Sequence, residues 1–302
     1  MLQVFANVIV PTILVASSGA LLARWRGLEP GVLGPIAVYL LSPALVLDGL
    51  LSSELSPHVS FRVVAAASGS VSLMVITAIV ASMVIRGNRP LRSGFTLATA
   101  FANGGNMGIP VAFLAFGELG LAVAIIVFVT HATISWPVGI YIAAHGRANG
   151  AAALRQALQV PTIYAVPLAL GMRAGGWSLP DPLSRPIELM GQAAVPVMLV
   201  LLGFQLAQGM DIARWRGIAA SAAIRLVLSA GMALVATEVA GLEGTAQHTV
   251  IVVSAMPTAV FTTILAAEFD AEPRFVSSAM VFSTLISLVT LTALITLLGW
   301  WV

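Results

Sequence analysis

Long apolar runs separated by short polar punctuation dominate the chain. Residues 1–23, 63–85, 93–117, 119–146, 189–210 and 275–302 contain no Asp, Glu, Lys or Arg. Each run is at least as long as the roughly 20 residues that carry a helix across a ~30 Å hydrocarbon layer. A membrane barrel would instead show short alternating strands, and the runs do not alternate. Reading the apolar stretches between charged or Pro/Gly-rich breaks predicts ten helices, over approximately 3–23, 34–53, 62–85, 93–116, 120–144, 156–174, 187–209, 215–240, 247–267 and 273–299. Connections such as Arg86-Gly87-Asn88-Arg89-Pro90 are short and leave no room for a soluble domain. The expected class is an all-α, multi-pass integral protein of the plasma (inner) membrane, partnered by the lipid bilayer.

Composition agrees with that solvent. Of 302 residues, 59% are hydrophobic and 9% charged, against about 25% charged in soluble domains. Mean hydropathy is +1.01. With no cysteine, disulfides and thiolate metal sites are excluded. All fourteen basic residues are Arg, and their placement reports topology, not nucleic-acid binding. The first apolar run is followed by Arg24 and Arg26 and preceded by no positive charge, the reverse of a secretory signal, so it reads as a retained helix. Loops after predicted helices 1, 3, 5, 7 and 9 hold Arg24, Arg26, Arg86, Arg89, Arg92, Arg147, Arg155, Arg214, Arg216 and Arg274; the opposite side holds Arg62, Arg173 and Arg185. Ten against three is a positive-inside bias that places both termini outside the cytoplasm.

The two halves echo each other. Val10-Pro11-Thr12-Ile13 recurs as Val160-Pro161-Thr162-Ile163, at an offset of 150. At an offset of 153, Pro43 falls on Pro196, Asn103-Gly104-Gly105 on Met256-Pro257-Thr258, and Phe116 on Phe269. The pattern predicts a duplicated five-helix unit, residues 1–150 and 151–302. Because five is odd, the second copy enters the membrane inverted, an architecture common among secondary transporters.

Predicted helices 4 and 9 carry the candidate chemistry. Asn103-Gly104-Gly105-Asn106-Met107-Gly108-Ile109-Pro110 puts three Gly, two Asn and a Pro into eight residues of an uncharged span. Such a segment disfavours continuous helix, and freed backbone at that depth survives only against protein or a water-filled cavity. Close helix packing accounts for Gly104 and Gly108 but does not require Asn103 or Asn106. In helix 9, Met256-Pro257-Thr258 sits in register, with Pro257 removing a backbone donor. Breaks at both places would create half-helix starts, whose free N–H groups and partial positive charge suit a carboxylate. Few ionisable groups lie within the spans, and each is a candidate for that reason. Asp48 is a candidate coupling group or simply reaches interfacial water. His131 is a candidate proton relay or a neutral core residue. Arg225 faces a substrate anion or pairs with a carboxylate. Glu268, Asp270 and Glu272 read as a solvated helix end.

The Asn103–Pro110 element, with Ala255-Met256-Pro257-Thr258-Ala259 and Ser283-Thr284-Leu285, resembles the auxin efflux carrier family in its short bacterial form, over essentially the whole chain. The resemblance implies a five-plus-five inverted repeat, similar to bile-acid:sodium symporters and sodium/proton antiporters. It also implies a scaffold of helices 1, 2, 6 and 7 that forms a homodimer, and a mobile transport domain of helices 3–5 and 8–10 working as an elevator. Helices 4 and 9 would cross at their breaks, with Asn103 and Pro110 matching the family's crossing Asn and Pro. Plant members carry a second Pro five residues after the position of Pro257; here it is Thr262. The implied cargo is a malonate-like or other small carboxylic acid and, more distantly, an indole-acetate-like weak acid. The expected binding set is Asn103, Gly104, Gly105, Asn106, Pro110, Met256, Pro257, Thr258 and Arg225, with no cofactor and no metal. An intramembrane enzyme has only His131 and Ser135, one turn apart, to recommend it. A passive channel or receptor does not call for breaks in both halves.

Overall fold

The computed structural model describes residues 1–27, 31, 33–53, 55–85, 87–144 and 161–299. Arg86, Arg147, Arg155, Val160, Val302, the 150/151 repeat boundary and the predicted start of helix 6 at 156 lie outside them. Helices α1 (Leu2–Arg26), α2 (Leu33–Leu51) and α3 (Pro57–Val84) are followed by the short α4 (Arg89–Ala100). Next come α5 (Gly104–Ala143), α6 (Thr162–Ala174), α7 (Asp181–Leu206) and α8 (Trp215–Val239). The short α9 (Gly244–Ser254) and α10 (Phe261–Glu268) precede α11 (Pro273–Leu297). The described residues form no strand, and seven of the helices are long and apolar enough to cross a membrane.

The predicted helix 4 is split: α4 stops at Ala100, and its second part is the start of α5. That second part runs into predicted helix 5 through Gly117, whose φ of 63° and ψ of −153° interrupt the helical path. Such a backbone conformation is open to glycine because it lacks a Cβ. Predicted helix 9 is likewise divided into α9 and α10.

Proline leaves a second mark. Phe5–Ile9, Ala37–Leu41 and Gly104–Gly108 are wide turns in which Val10, Ser42 and Ile109 donate to the carbonyl five residues back. Each ends two residues before Pro11, Pro43 or Pro110. A helical proline presses on the carbonyl four residues earlier, and a widened turn gives that carbonyl room.

Helix α7 packs on both α1 and α2, and α2 on α6, while α3 packs on α4, α5 and α8, and α9 on α5. The α1–α7 contact is the tightest. A Cβ on Gly203 would stand 1.8 Å from the Ala16 carbonyl oxygen, and one on Gly19 2.2 Å from that of Val200. Small residues allow this approach, and in lipid such packing replaces the missing hydrophobic drive.

Candidate functional site

Where α4 and α9 stop, the two segments that follow cross as extended backbone. Ala102 and Thr258 form an isolated antiparallel bridge. The Asn103 N–H donates to the Pro257 carbonyl at 2.7 Å, and the Ala259 N–H to the Phe101 carbonyl at 2.9 Å. These bonds give partners to backbone that helix would otherwise have satisfied, as a non-aqueous surrounding demands. Side chains complete the join. The Thr258 hydroxyl donates to the Ala98 carbonyl at 2.7 Å and accepts from the Ser283 hydroxyl at 3.1 Å, which also accepts from the Thr258 N–H. Thr262, where the resemblance noted a missing second proline, donates its hydroxyl to the Ala259 carbonyl at 2.5 Å.

The four half-helix ends divide by polarity. The C-terminal ends of α4 and α9 converge on Arg225, which is 2% exposed. Its guanidinium donates to the carbonyls of Ala100 at 2.7 Å, Thr99 at 3.5 Å and Ser254. The N-terminal ends of α5 and α10 instead face a cavity of about 570 Å³, which Gly104, Gly105 and Asn106 line from one side and Ala259, Val260, Phe261 and Thr263 from another.

The rest of the cavity wall comes from the start of α2, the start of α6 and the end of α7, including Tyr39, Ser42, Thr162, Met198, Gln205 and Gln208. Phe128, His131, Ser135 and Trp136 contribute from α5. Phe261 anchors an aromatic wall, its ring 5.4 Å from Phe101 and 5.1 Å from Trp136. Gly105 lies so close to the Phe128 ring that a Cβ there would meet it at 2.9 Å. Among the described residues that line the cavity none is Asp, Glu, Lys or Arg. Two buried amides are left incomplete. Asn103 Nδ2 and Gln205 Oε1 have no hydrogen-bond partner among the described residues, and both belong to the lining.

Of the residues singled out in the sequence, Asn103, Gly104, Gly105, Asn106 and His131 reach the cavity. Met256, Pro257 and Thr258 make the crossing itself, and Pro110 is buried one turn into α5. Arg225, expected against a substrate anion or a carboxylate, has no carboxylate partner among the described residues and does not line this cavity: its guanidinium bonds to backbone carbonyls. Asp48 lies at the α2–α7 contact with its carboxylate against Gly191, away from the lining. His131 shares a 3.3 Å hydrogen bond with Ser70, which shares another of 3.2 Å with Ser254. Glu272 pairs with Arg214 at 3.0 Å, tying the end of the α10 segment to the start of α8. Gln205 escaped the sequence reading because its run, 189–210, was recognised by its lack of charge; an uncharged amide in an apolar helix was the available signal.

Comparison with known proteins brings one family and three relatives. The profile of a family described as "Membrane transport protein" matches residues 5–295. An uncharacterized transporter of Methanocaldococcus jannaschii is 26% identical over 212 residues, covering 68% of this chain and 67% of that protein. One of Methanothermobacter thermautotrophicus is 29% identical over 203 residues, covering 66% and 65% respectively. Auxin efflux carrier component 1 of Arabidopsis thaliana is 28% identical over 116 residues, 37% of this chain and 19% of the plant protein. The chain thus aligns with about two thirds of the archaeal relatives' length and about a fifth of the plant relative's.

Proposed function

The chain belongs to the membrane transport protein family, and on that premise we propose that it is a secondary carrier for a small organic anion bound beside the crossing. The observation that carries the reading is the sorting of helix ends: two N-terminal ends line the cavity, and Arg225 holds the two C-terminal ends behind it. Each N-terminal end presents free N–H groups and about half a positive charge. In a site walled by apolar and aromatic side chains that charge is poorly screened. Asn103 Nδ2 adds a buried donor still lacking an acceptor. A carboxylate would satisfy these donors, whereas an amine would meet donors at this end of the cavity and find an unpartnered acceptor in Gln205 Oε1 on α7. A volume of about 570 Å³ suits a small organic molecule, and the name of the plant relative refers to auxin, a weak carboxylic acid.

We read the transport cycle from where the cavity lies. Its wall comes from α2, α6 and α7, which with α1 make one connected set of contacts, and from α5 and the crossing, to which α3, α4 and α8–α11 are packed. We read the first group as the scaffold, through which a homodimer forms, and the second as the moving elevator domain. Counting Gly117 as a reversal and each broken pair as one span yields ten crossings in two inverted sets of five. The ends of α4 and α9, Ala100 and Ser254, lie 154 residues apart, close to the offset of the sequence echoes. The cavity reaches Gly31 and Gln208, in the α1–α2 and α7–α8 connections, which are flanked by Arg24 and Arg26 and by Arg214 and Arg216. By the positive-inside rule this is an inward-open state with both termini extracytoplasmic. His131, which lines the cavity, is the better placed coupling group; Asp48 would act through the α2–α7 contact.

The test is thermal stabilisation of the purified protein by a panel of carboxylates and size-matched amines. Some acids should raise the melting temperature and the amines should not. Stabilisation by amines alone would overturn the anion assignment and leave the carrier architecture standing.

A further inference from the structure

The crossing poses an electrostatic problem apart from its cargo. Helices α4 and α9 each end in a negative pole worth about half a charge, so their convergence concentrates roughly one negative charge in a buried place. The carbonyl oxygens of Thr99, Ala100 and Ser254 point into it, and the hydroxyls of Ser70, Ser229 and Ser254 surround it. A cluster of hard oxygens under negative potential is what a small inorganic cation seeks. Here the position is filled by the guanidinium of Arg225, whose single positive charge matches the two poles. Its backbone is in turn tied down, since the Ser229 hydroxyl donates to the Arg225 carbonyl. The side chain makes no ion pair with any described carboxylate, so its charge is committed to the helix ends.

We propose that Arg225 is a tethered counter-cation. It occupies the place, among the described residues, where the converging carbonyl oxygens would otherwise call for Na⁺ or K⁺, so the crossing is charge-complete without an inorganic ion. The anion site on the other side of the crossing therefore needs no such ion beside it, whichever anion it takes. A residue that only packed the interior would need shape and volume here; this role needs charge.

The experiment separates charge from shape and uses no substrate, so its failure would be distinct from failure of the anion assignment. The full-length protein in detergent is melted in NaCl, KCl or choline chloride at equal ionic strength, alongside Arg225→Ala, Arg225→Lys and Arg225→Met. Wild type should melt at the same temperature in all three salts. Arg225→Ala and Arg225→Met in choline should each melt lower by roughly 10 °C, because an uncompensated buried charge is left. Millimolar guanidinium should restore at least half of the loss in Arg225→Ala, while urea, of the same shape but neutral, should restore none. Sodium should also raise the melting temperature of Arg225→Ala relative to choline. Arg225→Lys, which keeps the charge with fewer donors, should fall between wild type and alanine and stay insensitive to sodium. A saturable sodium stabilisation of wild type would overturn the proposal, as would equal effects of guanidinium and urea on Arg225→Ala. If the alanine and methionine variants do not fold, the sodium response of wild type and of Arg225→Lys decides alone.

Discussion

Replacing Gly203 by alanine should force α1 away from α7. The added Cβ would lie 1.8 Å from the Ala16 carbonyl oxygen and 2.7 Å from the Ala20 nitrogen, where real Cβ atoms essentially never come within 3.0 Å. Both obstacles are backbone, so no side chain can swing aside, and the helices must separate by roughly 1 Å. A gap of that size forfeits up to about half of each pairwise attraction along the contact. Overpacked interiors cost about 1–3 kcal/mol, and the depth of this overlap puts Gly203→Ala near 3 kcal/mol. Gly19→Ala meets the Val200 carbonyl oxygen at 2.2 Å, a shallower overlap worth about 2 kcal/mol. One withdrawal relieves both clashes, so the double variant should cost about 3–4 kcal/mol, short of the sum. Equilibrium unfolding in mixed detergent micelles, followed by tryptophan fluorescence, measures all three. The reasoning fails if Gly203→Ala stays within about 0.5 kcal/mol of wild type, or if the two single costs add in full.

Asn103→Leu should reduce transport at least tenfold while folded protein remains obtainable. The crossing uses the backbone of Asn103, and its side-chain Nδ2 has no partner among the described residues to lose; near-normal transport would remove the side chain from the site. Thr258→Val keeps the shape but strands the Ala98 carbonyl, while the Ser283 hydroxyl keeps the Met280 carbonyl and the Thr258 N–H, so it should destabilise by about 1–2 kcal/mol. An unchanged unfolding curve would mean that backbone pairing alone joins the broken helices. The natural absence of cysteine makes single-cysteine labelling clean. Gln208→Cys should react with an impermeant thiol reagent from the cytoplasmic side and Trp177→Cys from the opposite side, and the reverse pattern would invert the proposed orientation.

What could be read from the chain alone was whatever a residue says about its own surroundings. Apolar runs of membrane length marked the helices, because lipid selects side chains one by one. The segment Gly104–Pro110 and Pro257 marked the breaks, because glycine and proline act on the backbone at their own positions. Asn103 and Asn106 stood out because an amide in hydrocarbon needs a reason. The sequence did not foresee the carbonyl partners of Arg225 and was silent on Gln205, on the α1–α7 contact at Gly19 and Gly203, and on the cavity. These depend on how segments far apart in the chain meet: Arg225 lies 125 residues from Ala100, and Gly19 closes on Val200. A carboxylate that partners an arginine leaves a letter in the sequence. A backbone carbonyl leaves none, since every residue has one and only the ending of a helix frees it. Which helix ends converge behind the crossing and which face the cavity was therefore decided by tertiary structure, and that sorting of dipoles is what the proposed anion site rests on.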